Sequence, residues 1–122
     1  IPCYKVAENE KFFAFLDINP LVKGHTLVVP KQEVDYIFDL SDEDLAAMHV
    51  FAKKIARAIE KAFPCKKVGE AVIGLEVPHA HIHLIPIQKE SDMLFSNPKL
   101  KLADDEFVSI AKAISSAYET AK

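Results

Sequence analysis

Hydrophobic positions change their period along this chain, and the changes mark out its elements. Phe12-Phe13-Ala14-Phe15-Leu16 is a short apolar run ended by Asp17-Ile18-Asn19-Pro20, and Gly24 releases a second run, His25-Thr26-Leu27-Val28-Val29, which Pro30 closes. Runs this short, rich in β-branched and aromatic residues and bounded by Pro, Gly and Asn, predict two strands, with residues 18–24 as a hairpin loop. After Lys31 the period becomes helical. Ser41 precedes Asp42-Glu43-Asp44, a hydroxyl cap with acids where the helix dipole favours them. Leu45, Met48, Phe51, Ile55, Ile59 and Phe63 follow at steps of three and four, and Pro64 stops the run. This predicts an amphipathic helix from Asp42 to Phe63. A third strand is predicted at Ala71-Val72-Ile73 between Gly69 and Gly74, and a fourth from His79 to Ile87. The polar stretch from Gln88 to Lys101 reads as a loop. Asp104-Asp105-Glu106 opens a second helix, with Phe107, Ile110, Ile114 and Tyr118 on one face. The order ββαββα predicts an α+β fold, with two main helices on one face of an antiparallel sheet of about five strands.

Composition narrows the class. In 122 residues, 50% hydrophobic and 27% charged, the expectation is one globular domain over residues 1–122. Fifteen basic against 18 acidic side chains leave a net charge of −3, which argues against a groove tracking a nucleic-acid polymer. No apolar run approaches the roughly 18 residues of a membrane span. Cys3 and Cys65 stand far apart without a CxxC partner, which suggests reduced thiols and a cytoplasmic protein. The chain begins with Ile1 rather than Met, so a short N-terminal piece is expected to be missing.

Three of the five histidines form His79-Ala80-His81-Ile82-His83, followed by Leu84-Ile85-Pro86. On a strand, His79, His81 and His83 would share one face, while Ala80, Ile82 and Leu84 point into the core. Three uses of such a row stay open. A pair could share a zinc ion, but the outer two lie about 13 Å apart, too far to join the middle ring on one ion, and no His/Cys partner set has zinc spacing. A neutral imidazole could attack phosphorus and split one displacement into two, with its neighbours fixing the tautomer and donating to phosphoryl oxygens. The row could also be a stripe without function. His49, alone on its helix turn, reads as a surface or half-buried structural residue.

The segment His79-Ala80-His81-Ile82-His83-Leu84-Ile85 resembles the signature of the histidine triad (HIT) superfamily, in particular its small single-domain bacterial and Hint-like branch. Phe15-Leu16-Asp17-Ile18-Asn19-Pro20 and Gly24-His25-Thr26-Leu27-Val28-Val29-Pro30-Lys31 are similar to that family's nucleotide-binding half, so the resemblance spans about residues 4 to 120. It implies a HIT-like fold and a nucleotide hydrolase or transferase acting at the α-phosphate, on nucleoside 5′-phosphoramidates or dinucleoside polyphosphates, with purine nucleosides expected. By the same matching His81 is the nucleophile and becomes nucleotidylated. His83 bonds the α-phosphate, and His79 and His25 orient His81 and manage protons. Asp17 falls at the ribose hydroxyls and Phe15 and Ile18 at the base, with Phe15 as plain core and Asp17 as a turn residue the alternatives. Gly74, Leu75, Glu76 and Val77 fall in the nucleotide pocket.

The departures are specific. Relatives often carry a Gln before the triad where this chain has Leu75, and an Asn where it has Val68; Glu76 adds a negative charge, and Pro86-Ile87 replaces Pro-Arg. Some relatives hold a structural zinc with paired cysteines and a His after Pro-Lys, a place taken here by Glu33. No metal and no cofactor is therefore expected. The resemblance also implies a homodimer, to which Ala46, Ala47 and Ala58 on the long helix would contribute. The rival functions are a nucleotide-binding module with little turnover and a metal-binding protein.

Overall fold

The computed structural model describes residues 3–75 and 79–121. Strands β1 (Lys5–Glu8), β2 (Phe12–Leu16) and β3 (Thr26–Pro30) are followed by helix α1 (Asp42–Ala62), strands β4 (Lys67–Ala71) and β5 (Ile82–Ile87), and helix α2 (Asp104–Ala121). The five strands form one antiparallel sheet in the order β1-β2-β3-β5-β4. This is the expected α+β fold, and α1 lies within one residue of its expected range.

Alternation along the strands separates the two faces of the sheet. Phe12, Ala14 and Leu16 of β2, Val28 of β3, and Ile82 and Leu84 of β5 enter the core. Met48, Phe51, Ile55 and Ile59 of α1 and Phe107, Ile110 and Ile114 of α2 close over them. Aromatic contacts tie the layers together, Phe12 to Phe51 at 6.0 Å between centroids and Phe51 to Tyr118 at 6.1 Å. Ser41 caps α1, its Oγ accepting from the Asp44 amide at 3.1 Å. The residues between the core positions point the other way. Phe15 pairs with Leu27, and Leu27 with His83, so these three stand side by side on the face away from the helices.

Four expectations are corrected. The strand expected at residues 71–73 is β4, Lys67–Ala71, and Val72 and Ile73 lie exposed beyond it. Gly69, read as a boundary, sits inside the strand, paired to Ile85 and covered by the flexible end of the Met93 side chain. The strand expected from His79 begins at Ile82. Its partner β3 ends at Pro30, which has no N–H for the ladder, and residues 79–81 are anchored instead by the Ala80 amide donating to the Val34 carbonyl at 2.7 Å. The loop from residue 88 contains a 3₁₀ turn, Glu90–Met93, whose Asp92 carboxylate accepts from the Gln88 and Lys89 amides. Strand β1 was not among the four strands read from the pattern. Its register shifts between Lys5 and Ala7, and adjacent Val6 and Ala7 are both buried, so it shows no period of two.

Candidate active site

An open cavity of about 770 Å³ lies on the face away from the helices. Phe15, Leu27 and Val29 form its apolar floor, and Asp17, Asn19 and His25 come from the β2–β3 connection. His79, His81 and His83 line it together. The prediction that they share a side holds, although two of them precede the strand. Ile73, Gly74, Leu75, Phe95 and Lys99 complete the wall.

Gly24 aims His25. Its φ of 97° is open to glycine at little cost, and this turn brings the chain back as β3 with His25 buried at its start. The ring is then wired at both nitrogens. The Leu21 amide donates to His25 Nδ1 at 3.0 Å, so Nδ1 is the bare nitrogen and Nε2 carries the proton. His25 Nε2–H donates to His83 Nδ1 at 2.9 Å. His83 must therefore carry its own proton on Nε2, the nitrogen left to face a ligand. Burial, foremost, pushes both rings down to about 4; Lys99 and His81 add to this for His25, and His25 and His81 for His83, against a weaker raising effect of Asp17. The pair is uncharged at neutral pH.

The other two histidines bond to backbone. His81 Nδ1–H donates to the His79 carbonyl at 2.7 Å, which leaves the Nε2 lone pair of His81 free. His79 Nε2–H donates to the Pro30 carbonyl at 3.2 Å. The His81 and His83 rings meet edge to face with centroids 4.7 Å apart. A bare nitrogen and an N–H donor thus stand side by side, the combination needed to attack a phosphorus atom while holding one of its oxygens.

Asp17 is both a turn residue and a cavity-lining one. Its Oδ1 accepts from the Asn19 amide at 2.8 Å, as a turn residue's would, and its Oδ2 lies 3.5 Å from His25 Nε2 at the cavity wall. Ligand atoms of Asp17, His25 and His83 all fall within 4.8 Å of one another, close enough for a metal ion. The hydrogen-bond order opposes that use. The His25 lone pair accepts from Leu21 and the inner His83 lone pair from His25, so a metal would have to displace both donors.

Of the remaining predicted residues, Phe15, Gly74 and Leu75 line the cavity, Leu75 with 89% of its surface exposed. Ile18 is exposed and stands outside the wall. Val68 packs against the helix-side core, so no phosphate contact is missing there. Glu76 and Val77 lie outside the described residues. His49 is an exposed α1 residue paired with Glu70 at 2.7 Å, away from the cavity, as expected. Sequence reasoning missed Phe95 and Lys99. A lone aromatic in a polar stretch was the signal for Phe95, and Lys99 carried none.

The sequence matches the family model of the HIT domain over residues 1–90. The chain belongs to the HIT family. Among relatives, this HIT protein is 35% identical over 118 residues to an adenosine 5′-monophosphoramidase of Schizosaccharomyces pombe, covering 95% of this chain and 89% of the relative. It superimposes with a TM-score of 0.83 on a hypothetical histidine triad nucleotide-binding protein of Sulfolobus tokodaii, at 25% identity, covering 98% and 86% of the two chains. A Hit-like protein of Bartonella henselae involved in cell-cycle regulation gives a TM-score of 0.80 at 28% identity, with 96% and 88% covered.

Proposed function

We propose that this HIT protein is a nucleotide hydrolase or transferase, cleaving at the α-phosphate of nucleoside 5′-phosphoramidates or related nucleotide esters and polyphosphates through a nucleotidyl group on His81. The observation that carries the reading is the proton order of the row: His81 offers a bare Nε2 beside the Nε2–H of His83. In the first half-reaction His81 Nε2 forms a bond to phosphorus, and the bond to the leaving amine or phosphate breaks with its electron pair. The leaving group takes up a proton from solvent, which the attacking water returns in the second half-reaction, and His83 donates to a phosphoryl oxygen. In the second half-reaction water adds to phosphorus, the P–N bond breaks and His81 returns to its neutral form. The product is a nucleoside monophosphate. Asp17 suits the ribose hydroxyls as a carboxylate acceptor, and Phe15 with Leu27 suits the flat face of a base. The S. pombe phosphoramidase relative supports the same reaction class.

The test is a rapid quench with an α-labelled adenosine phosphoramidate, followed by peptide mapping. An acid-labile nucleotidyl group on His81 and release of adenosine monophosphate are expected. Label on His79 or His83 instead overturns the mechanism. A second reading, a nucleotide-binding module with little turnover, draws on Leu75, whose exposed side chain offers the cavity no polar group. Tight nucleotide binding without product release would favour it.

A homodimer belongs to this proposal. Among the described residues β4 ends the sheet with one edge unpaired, and Ala46 and Val50 are exposed on α1. Light scattering at micromolar concentration should give twice the chain mass. The cytoplasmic setting is read from two free cysteines, and no helix among the described residues is long and apolar enough to cross a membrane.

A further inference from the structure

Residues 94–100, between the 3₁₀ turn and α2, form a strap over the buried end of the histidine row. The Phe95 ring stands edge-on to His83 with centroids 4.8 Å apart and reaches His25 at 6.3 Å. Three sets of bonds hold the strap in place. Lys99 Nζ donates to the carbonyls of Phe95 and Asn97, Asn97 Nδ2 donates to the Ser91 carbonyl at 2.7 Å, and the Leu100 amide donates to the Pro20 carbonyl at 2.9 Å. Phe95 and Lys99 both line the cavity.

We propose that Phe95 and Lys99 are positioning residues that hold the His25–His83 pair in a single uncharged tautomer, so that His83 always presents Nε2–H to the cavity. This rests on the reading of His83 as the phosphate donor. A proton added to His25 Nδ1 would confront the Leu21 N–H, and one added to His83 Nδ1 would confront the His25 N–H. Either breaks the chain that fixes the outward donor. Phe95 keeps water from the pair and so disfavours its charged forms. Lys99 sets a permanent positive charge near His25 and acts in the same direction. The groups facing His25 are Asp17 from the β2–β3 connection, His83 from β5, His81 from the segment before it, and Lys99 from the strap. Asp17 favours protonation of His83, and the strap opposes it. Lys99 also bonds the Phe95 carbonyl, so one side chain pins the cover and supplies the charge.

The experiment is site-resolved NMR titration of the imidazoles in the wild type, Phe95→Ala, Phe95→Leu, Lys99→Glu and Lys99→Arg. It needs no substrate. Wild-type His25 and His83 should titrate near 4, whereas in Phe95→Ala both midpoints should move by a unit or more toward the ordinary value of about 6.5. Phe95→Leu should keep most of the depression. Lys99→Glu should raise His25 more than His83, and Lys99→Arg should behave as wild type. If Phe95→Ala does not fold, the Lys99 series decides the matter. In activity, the ratio of variant to wild-type kcat/KM for Phe95→Ala should fall between pH 7 and pH 5, about twofold for a midpoint of 5 and about tenfold for a midpoint of 6. Midpoints unchanged in Phe95→Ala and Lys99→Glu, or a loss of activity equal at all pH, would overturn the proposal. Raised midpoints in a protein that hydrolyses no nucleotide would leave the positioning role standing and overturn the reaction assigned above.

Discussion

The two ends of the histidine row are built on different principles. At one end, His83 lies within β5, paired to Leu27, and its ring closes a chain of side-chain bonds that begins at the Leu21 amide. At the other, His79 and His81 have left the ladder, and each ring donates to a nearby backbone carbonyl. The difference matches the tasks proposed for them. A donor to phosphate must keep its proton outward in every turnover, and a chain of three rigid partners enforces that. A nucleophile must bond to phosphorus and be released again. A single local bond at Nδ1 keeps Nε2 bare without tying the ring to the sheet.

Breaking the nucleophilic end should have the largest effect. His81→Ala removes the atom proposed to bond to phosphorus, and turnover should fall on the order of 10⁴-fold or more in single-turnover assays. A variant with most of its activity left would place the nucleophile elsewhere. Breaking the buried end comes next. His83→Ala removes one donor to the phosphoryl oxygens, and kcat should fall on the order of 10²- to 10³-fold while the nucleotidyl group still forms on His81. Loss of that intermediate would mean that His83 does more than donate. His79→Ala should cost less, about tenfold to a hundredfold by analogy with lost supporting bonds around a reactive group. It removes the bond to Pro30 but keeps the 79 carbonyl that accepts from His81 and the Ala80 anchor to Val34. Steady-state kinetics of the two variants side by side would rank the ends, and a greater loss from His79→Ala would reverse the comparison.

The same contrast explains what the sequence could say about the site. Facing was legible because alternation of Ala80, Ile82 and Leu84 into the core sets the side of all three histidines, on or off the ladder. The start of β5 was not, because it depends on where the partner strand ends at Pro30. The helices were legible from their own periodicity and caps, without reference to neighbours. Gly69 was misread because the ladder to Ile85, distant in the chain, carries the strand through it. Strand β1 hid behind its bulge. Val68 was matched to an Asn of relatives by position alone, and its packing against the core sets it apart from the cavity. Phe95 meets His25 and His83 only through tertiary contact, which its lone place in a polar stretch hints at without naming the partners, and nothing local marks Lys99.

The smallest expected effect lies on the rim, where neither end of the row reaches. Leu75 lines the cavity yet is 89% exposed, so its side chain does little for stability, and replacing it should change folding by no more than about 0.5 kcal/mol. The resemblance to the HIT family implies a glutamine amide in this place. Leu75→Gln would supply a neutral donor from a third direction, on the β4 side of the row. One such bond, made in the transition state, contributes about 0.5–1.5 kcal/mol, which corresponds to roughly a twofold to tenfold gain in kcat/KM on a nucleoside phosphoramidate. Leu75→Ala separates the amide from mere loss of bulk, since it clears the rim without adding a donor. A gain in both variants would mean that Leu75 obstructs the cavity. A gain in Leu75→Gln alone would mean that the row lacks one donor which its two ends cannot provide.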